Sequence, residues 1–204
     1  MGGQTLIGVK EYLRPSRLGA TTSVLDEPGF EIRRAREGLC TLQLWGRLRP
    51  SWSGSLAEGL ADLGLSLMSG FARKIGPMRW LAEFELDSKE AKQDPLAIDY
   101  LELAARTQAS PGRTPIVLHS YTVASSEKHG GSLYLEIGGS DRVGFLGSLL
   151  TGFAFLSLFP EEMKIATQSG AVHDRFFLTG IGRTAPPAQA RQGLESWLRS
   201  LVRQ

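Results

Sequence analysis

Apolar and polar residues alternate from Thr41 to Gly46 (Thr-Leu-Gln-Leu-Trp-Gly) and again from Ser132 to Ile137 (Ser-Leu-Tyr-Leu-Glu-Ile). That period of two marks a strand with one buried face. In both places glycine and a Ser or Asp suited to capping lead into an apolar run with helical spacing, Gly54 to Leu65 and Gly144 to Leu150. Two short apolar segments around a tight turn follow each helix and predict hairpins: 67–75 and 78–86 about Gly76-Pro77, then 163–167 and 171–178 about Ser169-Gly170. A second helix closes each copy. Over 95–107 Leu96, Tyr100, Leu103 and Ala104 share a face, and over 187–201 Leu194, Trp197, Leu198 and Leu201 do, with Pro95 and Pro187 where a helix can begin.

The order β-α-β-β-α thus occurs twice. A further strand over 116–123 closes the first copy as a ferredoxin-like β-α-β-β-α-β unit. The expected fold is α+β: two tandem ferredoxin-like domains whose antiparallel sheets are covered by helices on one face. The expected division is an N-terminal extension with strands (1–40), a first domain (41–123), a Ser-, Lys- and Gly-rich linker (124–131) and a second domain (132–204). The second copy ends on its helix, one strand short. Either an N-terminal strand, at 6–12 or 30–35, completes its sheet, or its edge is left for another chain. The two units either build one eight-stranded arrangement within the chain or pair between chains, and the missing strand favours a homodimer.

The 204 residues are 42% hydrophobic and 22% charged, enough to bury a core. Against 23 Lys+Arg stand 21 Asp+Glu, a net charge of +2 that excludes a nucleic-acid binder working mainly by counterion release. The cluster Arg33, Arg34 and Arg36 is offset by Asp26, Glu27, Glu31 and Glu37 and reads as a solvated strand edge. The single cysteine, Cys40, suits a reducing compartment, and the absence of a basic-then-apolar start predicts a cytoplasmic protein. The uncharged stretch 143–159 falls just short of a membrane span and reads as a buried helix.

The run Asp141-Arg142-Val143-Gly144-Phe145-Leu146, with Lys164-Ile165-Ala166-Thr167 and His173-Asp174-Arg175-Phe176-Phe177-Leu178 behind it, resembles the ACT domain family, particularly its uridylyltransferase type. The family pattern is Asp-Arg-Pro-Gly-Leu-Leu, then Lys-Ile-Ala-Thr, then Val-Asp-x-Phe-Tyr-Val. Val143 stands where proline is usual. The match covers 132–180. Aligning Gly54 with Gly144 sets Ser51, Trp52 and Ser53 against Asp141, Arg142 and Val143, which makes the first copy degenerate.

The resemblance implies that a regulatory amino acid or related metabolite binds at the first strand-helix turn, between domains packed side by side. The candidate ligand-binding residues are therefore Asp141, Arg142, Val143, Gly144, Phe145 and Leu146. A glycine there lets a ligand approach, and the first helical N–H groups attract a carboxylate. Asp141 either holds an ammonium group or caps the helix. Trp52, in a Pro-Ser-Trp-Ser-Gly turn, covers the equivalent position in the first copy, anchors a contact, or packs on the sheet as a loop aromatic.

No other chemistry competes strongly. The chain has no P-loop, no dinucleotide fingerprint, no G-x-S-x-G and no H-E-x-x-H, and the Gly138-Gly139-Ser140-Asp141 turn is a weak phosphate signal. His119, His129 and His173 are scattered, so neither a metal nor another cofactor is expected. On strands, His173 and Asp174 face opposite ways, as do Glu161 and Glu162. The third strands lack the basic-Gly-aromatic run of an RNA-binding module. The expected function is non-catalytic regulation, with the metabolite and a regulated protein as partners and neither nucleic acid nor membrane. The alternative is an oligomerisation module with a decayed ligand site.

Overall fold

The computed structural model describes residues 26–106, 115–142 and 144–202. The strand expected at 6–12 and the side chain of Val143 lie outside the described residues. In chain order the elements are β1 (Gly29–Arg36), β2 (Leu39–Arg47), α1 (Trp52–Asp62), β3 (Ser66–Gly76), β4 (Arg79–Asp87), α2 (Tyr100–Ala105), β5 (Leu118–Ser126), β6 (Ser132–Ser140), α3 (Phe145–Phe155), β7 (Phe159–Gln168), β8 (Ala171–Thr179) and α4 (Ala188–Leu201). The expected repeat is present, and both hairpins and three of the four helices fall where the sequence puts them; the helix expected over 95–107 is corrected to a 3-10 turn at Pro95–Ala97, with Leu96 exposed, and a separate α2 that begins after the capping Asp99. No described helix is long and apolar enough to cross a membrane.

All eight strands form one sheet in the order β1-β2-β4-β3-β7-β8-β6-β5, antiparallel throughout. Two expectations are corrected here. The strand at 116–123, observed as β5, does not close the first unit; it pairs with β6 at the far edge of the sheet. The segment at 30–35, within β1, serves the first unit and not the second. Each outer strand therefore precedes its unit's core strand as a hairpin partner, whereas in a β-α-β-β-α-β unit it follows the second helix. The reason is proximity: two residues separate β1 from β2 and five separate β5 from β6, and sequence neighbours pair most readily. Much of 124–131 belongs to β5 and the turn after it. The second unit is not short of a strand, so the ground for expecting a homodimer is gone.

The two units meet where β3 pairs with β7, from Ser69↔Ala166 to Arg73↔Glu162. At the middle of this ladder Phe71 faces Lys164, 93 residues further on. The same offset relates β2 to β6 and α1 to α3, residue for residue, so a pseudo-two-fold axis passes through that pair. It corrects the alignment of Gly54 with Gly144 by three positions. Gly144 corresponds to Ser51, and both hold left-handed backbone at the helix N-cap, with φ of 83° and 67°. Neither helix has a side-chain cap.

Corrected in this way, the first copy is less degenerate. Arg49-Pro50-Ser51-Trp52 stands against Arg142-Val143-Gly144-Phe145, so arginine is common to both copies and the proline stands in the first. Trp52 is the first residue of α1 and fully buried, where it packs edge-on against Trp80 at 5.4 Å. It is a core residue and not a loop aromatic.

Helix packing follows the same axis. A Cβ on Gly147 would come within 3.2 Å of Glu58 Cγ, so α1 and α3 cross closely at the centre. Gly59 and Gly152, equivalent under the offset, receive the outer helices: Leu103 of α2 over the first, Trp197 of α4 over the second. Beneath lie Leu42, Leu44, Phe84 and Leu86 of one unit and Leu135, Ile137, Phe176 and Leu178 of the other, all buried in one continuous core.

A Cβ on Gly152 would stand 2.2 Å from the Trp197 ring, which Phe153 holds edge-on at 6.0 Å. Gly152→Ala should destabilise the protein by about 1–3 kcal/mol. Adding Trp197→Leu should recover part of the loss. Thermal denaturation of both variants checks this, and an unchanged melting temperature for Gly152→Ala would contradict the packing.

Candidate functional site

Strand β6 runs on through Gly138, Gly139 and Ser140, which pair with His173, Val172 and Ala171. The phosphate-like turn is therefore strand, and the chain leaves the sheet only at Asp141. Its amide donates to the Gly170 carbonyl at 2.9 Å, and the Phe145 amide donates to the Arg142 carbonyl at 2.9 Å, which sets the connection into α3. Gly144 is the N-cap with positive φ, a conformation glycine adopts without penalty. Asp141 lies three residues before it and does not cap the helix.

Here a cavity of about 280 Å³ opens between the two units. Five of the six candidate residues line it: Asp141, Arg142, Gly144, Phe145 and Leu146. The facing wall comes from the other unit, with Ala57, Leu60 and Ala61 of α1 and Leu65 to Leu67 at the start of β3. Ile165, Thr167, Val172 and Asp174 complete it from β7 and β8.

Asp174 belongs to the strand motif of the sequence and lies outside the candidate ligand-binding residues. It is 1% exposed; one carboxylate oxygen accepts from the Ala166 amide at 3.1 Å, and the other has no hydrogen-bond partner among the described residues. Burial pushes its carboxyl up to about 7, the Ala166 hydrogen bond opposes this, and nearby Asp141 adds to it. Desolvation raises Asp141 too, against a hydrogen bond from the Arg142 backbone. The sequence did hold a signal: Val172, Asp174, Phe176 and Leu178 share a strand face, so one carboxyl sits among core positions.

Two carboxyl groups, a cationic Arg142 and a helix N-terminus thus surround a small, mainly aliphatic cavity. A carboxyl with an unused acceptor inside such a cavity can receive an ammonium group, and the first-turn amides of a helix suit a carboxylate. The other singled-out residues lie elsewhere. His173 is exposed while Asp174 is buried, and buried Glu161 faces away from Glu162, which stands 3.5 Å from His129. His119 contacts Ser140 Oγ at 3.0 Å. Arg33 and Arg34 pair with Glu31 and Asp94 on the edge strand β1. Cys40 is buried. Among the described residues no group of three or more His, Cys, Asp or Glu could hold a metal ion.

The pseudo-two-fold axis carries this cavity onto a second, of about 500 Å³, at the N-terminus of α1. Ser51, Trp52, Ala154 and Leu158 line it where Gly144, Phe145, Ala61 and Leu65 line the first.

The raised Asp174 carboxyl makes a signed prediction. Unfolded, the group ionises near the ordinary carboxylate value; folded, it holds its proton to about 7. Stability should therefore fall as pH rises from about 4 to 7 and level off above. Asp174→Asn should be close to wild type near pH 4 and more stable by a few kcal/mol at pH 8, each pKa unit being worth about 1.4 kcal/mol. Urea denaturation across this range checks it, and a stability difference independent of pH would contradict it.

No family model matches the chain, and no curated protein matches it in sequence. Among solved structures, an aspartate kinase from Synechocystis is similar at a TM-score of 0.46 and 17% identity, over 81% of this chain and 27% of that one.

Proposed function

We propose that the chain is a non-catalytic regulatory protein of two ACT-like units that binds a small amino acid, or a related metabolite with an ammonium and a carboxylate, in the cavity at the start of α3. Asp174 and Asp141 receive the ammonium, the α3 N-terminus and Arg142 receive the carboxylate, and Ala57, Leu60 and Ile165 accept a small aliphatic side chain. The observation that carries this is the unpartnered, buried Asp174 oxygen on the wall of a cavity that both units build.

The proposed mechanism is coupling through the shared sheet. A ligand touching α1 and β3 on one side and α3, β7 and β8 on the other favours whichever relative setting of the units brings its contacts together, and a protein partner that distinguishes those settings reads the occupancy. The proposal treats β1 to α2 and β5 to α4 as the two units and assigns the protein to the cytoplasm, where free amino acids are the available ligands.

A thermal-shift screen against the twenty amino acids tests the proposal. A ligand at a hundredfold its Kd should add about 2.7 kcal/mol of stability. Ala61→Trp, which fills the cavity from α1, should abolish the response, and Asp174→Asn should weaken it at least about tenfold, equal to 1.4 kcal/mol. No response from any amino acid, or one that survives Ala61→Trp, would overturn the proposal and shift weight to an assembly module.

A further inference from the structure

The two cavities related by the pseudo-two-fold axis carry different charged groups. Where the first has Asp141, the second has Leu48; where the first has Asp174, the equivalent β4 position is Ala82; where the first has Thr167, the second has Lys74. The carboxyl groups suited to an ammonium are absent from the second cavity, and a cation has been added. We propose that this second cavity is a distinct ligand site for a hydrophobic, preferably aromatic, monocarboxylate that carries no amino group.

Its polar end is built around Glu161, which is fully buried on β7. Glu161 is held by Lys74 of β3, receives a hydrogen bond from Thr179 Oγ1 at 3.2 Å and stands 3.0 Å from Arg183 Nη2. One buried carboxylate between two cations leaves the cluster with a net positive charge, which the half-exposed Arg183 shares with solvent. A ligand carboxylate supplies the missing negative charge. Arg183 keeps donors for it beyond the ion pair with Glu161: its side chain is 47% exposed, and a guanidinium has five N–H donors in a fork that matches a carboxylate. A ligand ammonium is disfavoured here, because Lys74 and Arg183 flank the one carboxylate, whose Oε2 stands 3.0 Å from Arg183 Nη2 without a hydrogen bond.

The remaining walls are mainly apolar, with Arg49, Ser51, Ser53 and Thr151 as their polar residues. Trp52, Trp80, Met78, Leu158, Phe159 and Pro160 line a volume of about 500 Å³, within the range of about 300–1,000 Å³ usual for small-molecule sites and larger than the first cavity. Lys74 Nζ lies 5.3 Å from the centre of the Trp80 ring, so the cation and an aromatic wall are adjacent. The Trp52 indole N–H is buried without a hydrogen-bond acceptor among the described residues, which leaves a donor on the wall for a ligand oxygen. The inference does not depend on what the first cavity holds.

Three ligands with one ring system separate the terms: indole-3-propionate, its neutral amide, and L-tryptophan, which adds an α-ammonium to the same acid. Isothermal titration calorimetry should show indole-3-propionate binding one site at least about tenfold more tightly than either analogue, with the Trp52 indole N–H resonance shifting in NMR spectra. Ala154→Trp, on an exposed stretch of α3 that lines the cavity, should abolish binding, and Arg183→Met should bring acid and amide to within about twofold of each other. Neither substitution removes a core side chain, so both variants should fold. No binding of the acid up to about 10 mM, equal binding of the amide or of L-tryptophan, or binding that survives Ala154→Trp would each overturn the proposal.

Discussion

The pairing of β3 with β7 is the constraint on which the rest of the structure depends. Each unit on its own would leave one of these strands as an open edge, with a row of unpaired N–H and C=O groups. Joining them satisfies both edges within one chain and moves the exposed edges out to β1 and β5. The Phe71–Lys164 pair lies on the axis, so the register of this ladder sets how α1 and α3 cross, and that crossing needs the absence of a side chain at Gly147. The two cavities lie on either side of the same crossing, each with the N-terminus of one central helix on one wall and residues from the C-terminal half of the other helix opposite.

A symmetric scaffold therefore produces two sites of equal placement and unequal chemistry. Backbone conformation is retained across the offset: left-handed Ser51 and Gly144 begin the helices, and left-handed Gly64 and Ser157 follow their ends. The side chains that face the cavities diverge. Asp174 and Asp141 give the first two carboxyl groups beside Arg142 near a helix N-terminus, while Lys74, Arg183 and Glu161 give the second a net positive lining. Under the proposed function, a ligand held between the units would couple its occupancy to any shift of one unit against the other.

Local features of this fold were legible in the sequence. Period-two runs located β2 and β6, apolar segments about tight turns located the β3–β4 and β7–β8 hairpins, and glycine before an apolar run located the start of α3. Strand partners were not, because pairing is a long-range choice: nothing local in 118–126 says whether it joins the unit before it or the one after. The rule that neighbours pair would have favoured β6. The repeat offset was misread because Gly54 and Gly144 share an identity, whereas the shared property is the left-handed conformation of Ser51 and Gly144. Trp52 with Phe145, Gly59 with Gly152 and Leu65 with Leu158 together carry the correct register. The buried carboxylates were half visible. Glu161 shares a strand face with Met163 and Ile165, and Asp174 with Phe176 and Leu178, but their surroundings arrive from the other unit and leave no mark nearby in sequence.

The central claim is that β3 and β7 join the two units within one chain, and amide hydrogen exchange tests it most directly. Exchange in β3 and β7 should be as slow as in β2, β4 and β8, and the protection should not change on dilution. Exchange as fast as in the edge strands β1 and β5, or protection lost as the protein is diluted, would show that the two strands are free edges or pair between chains, and would contradict the account.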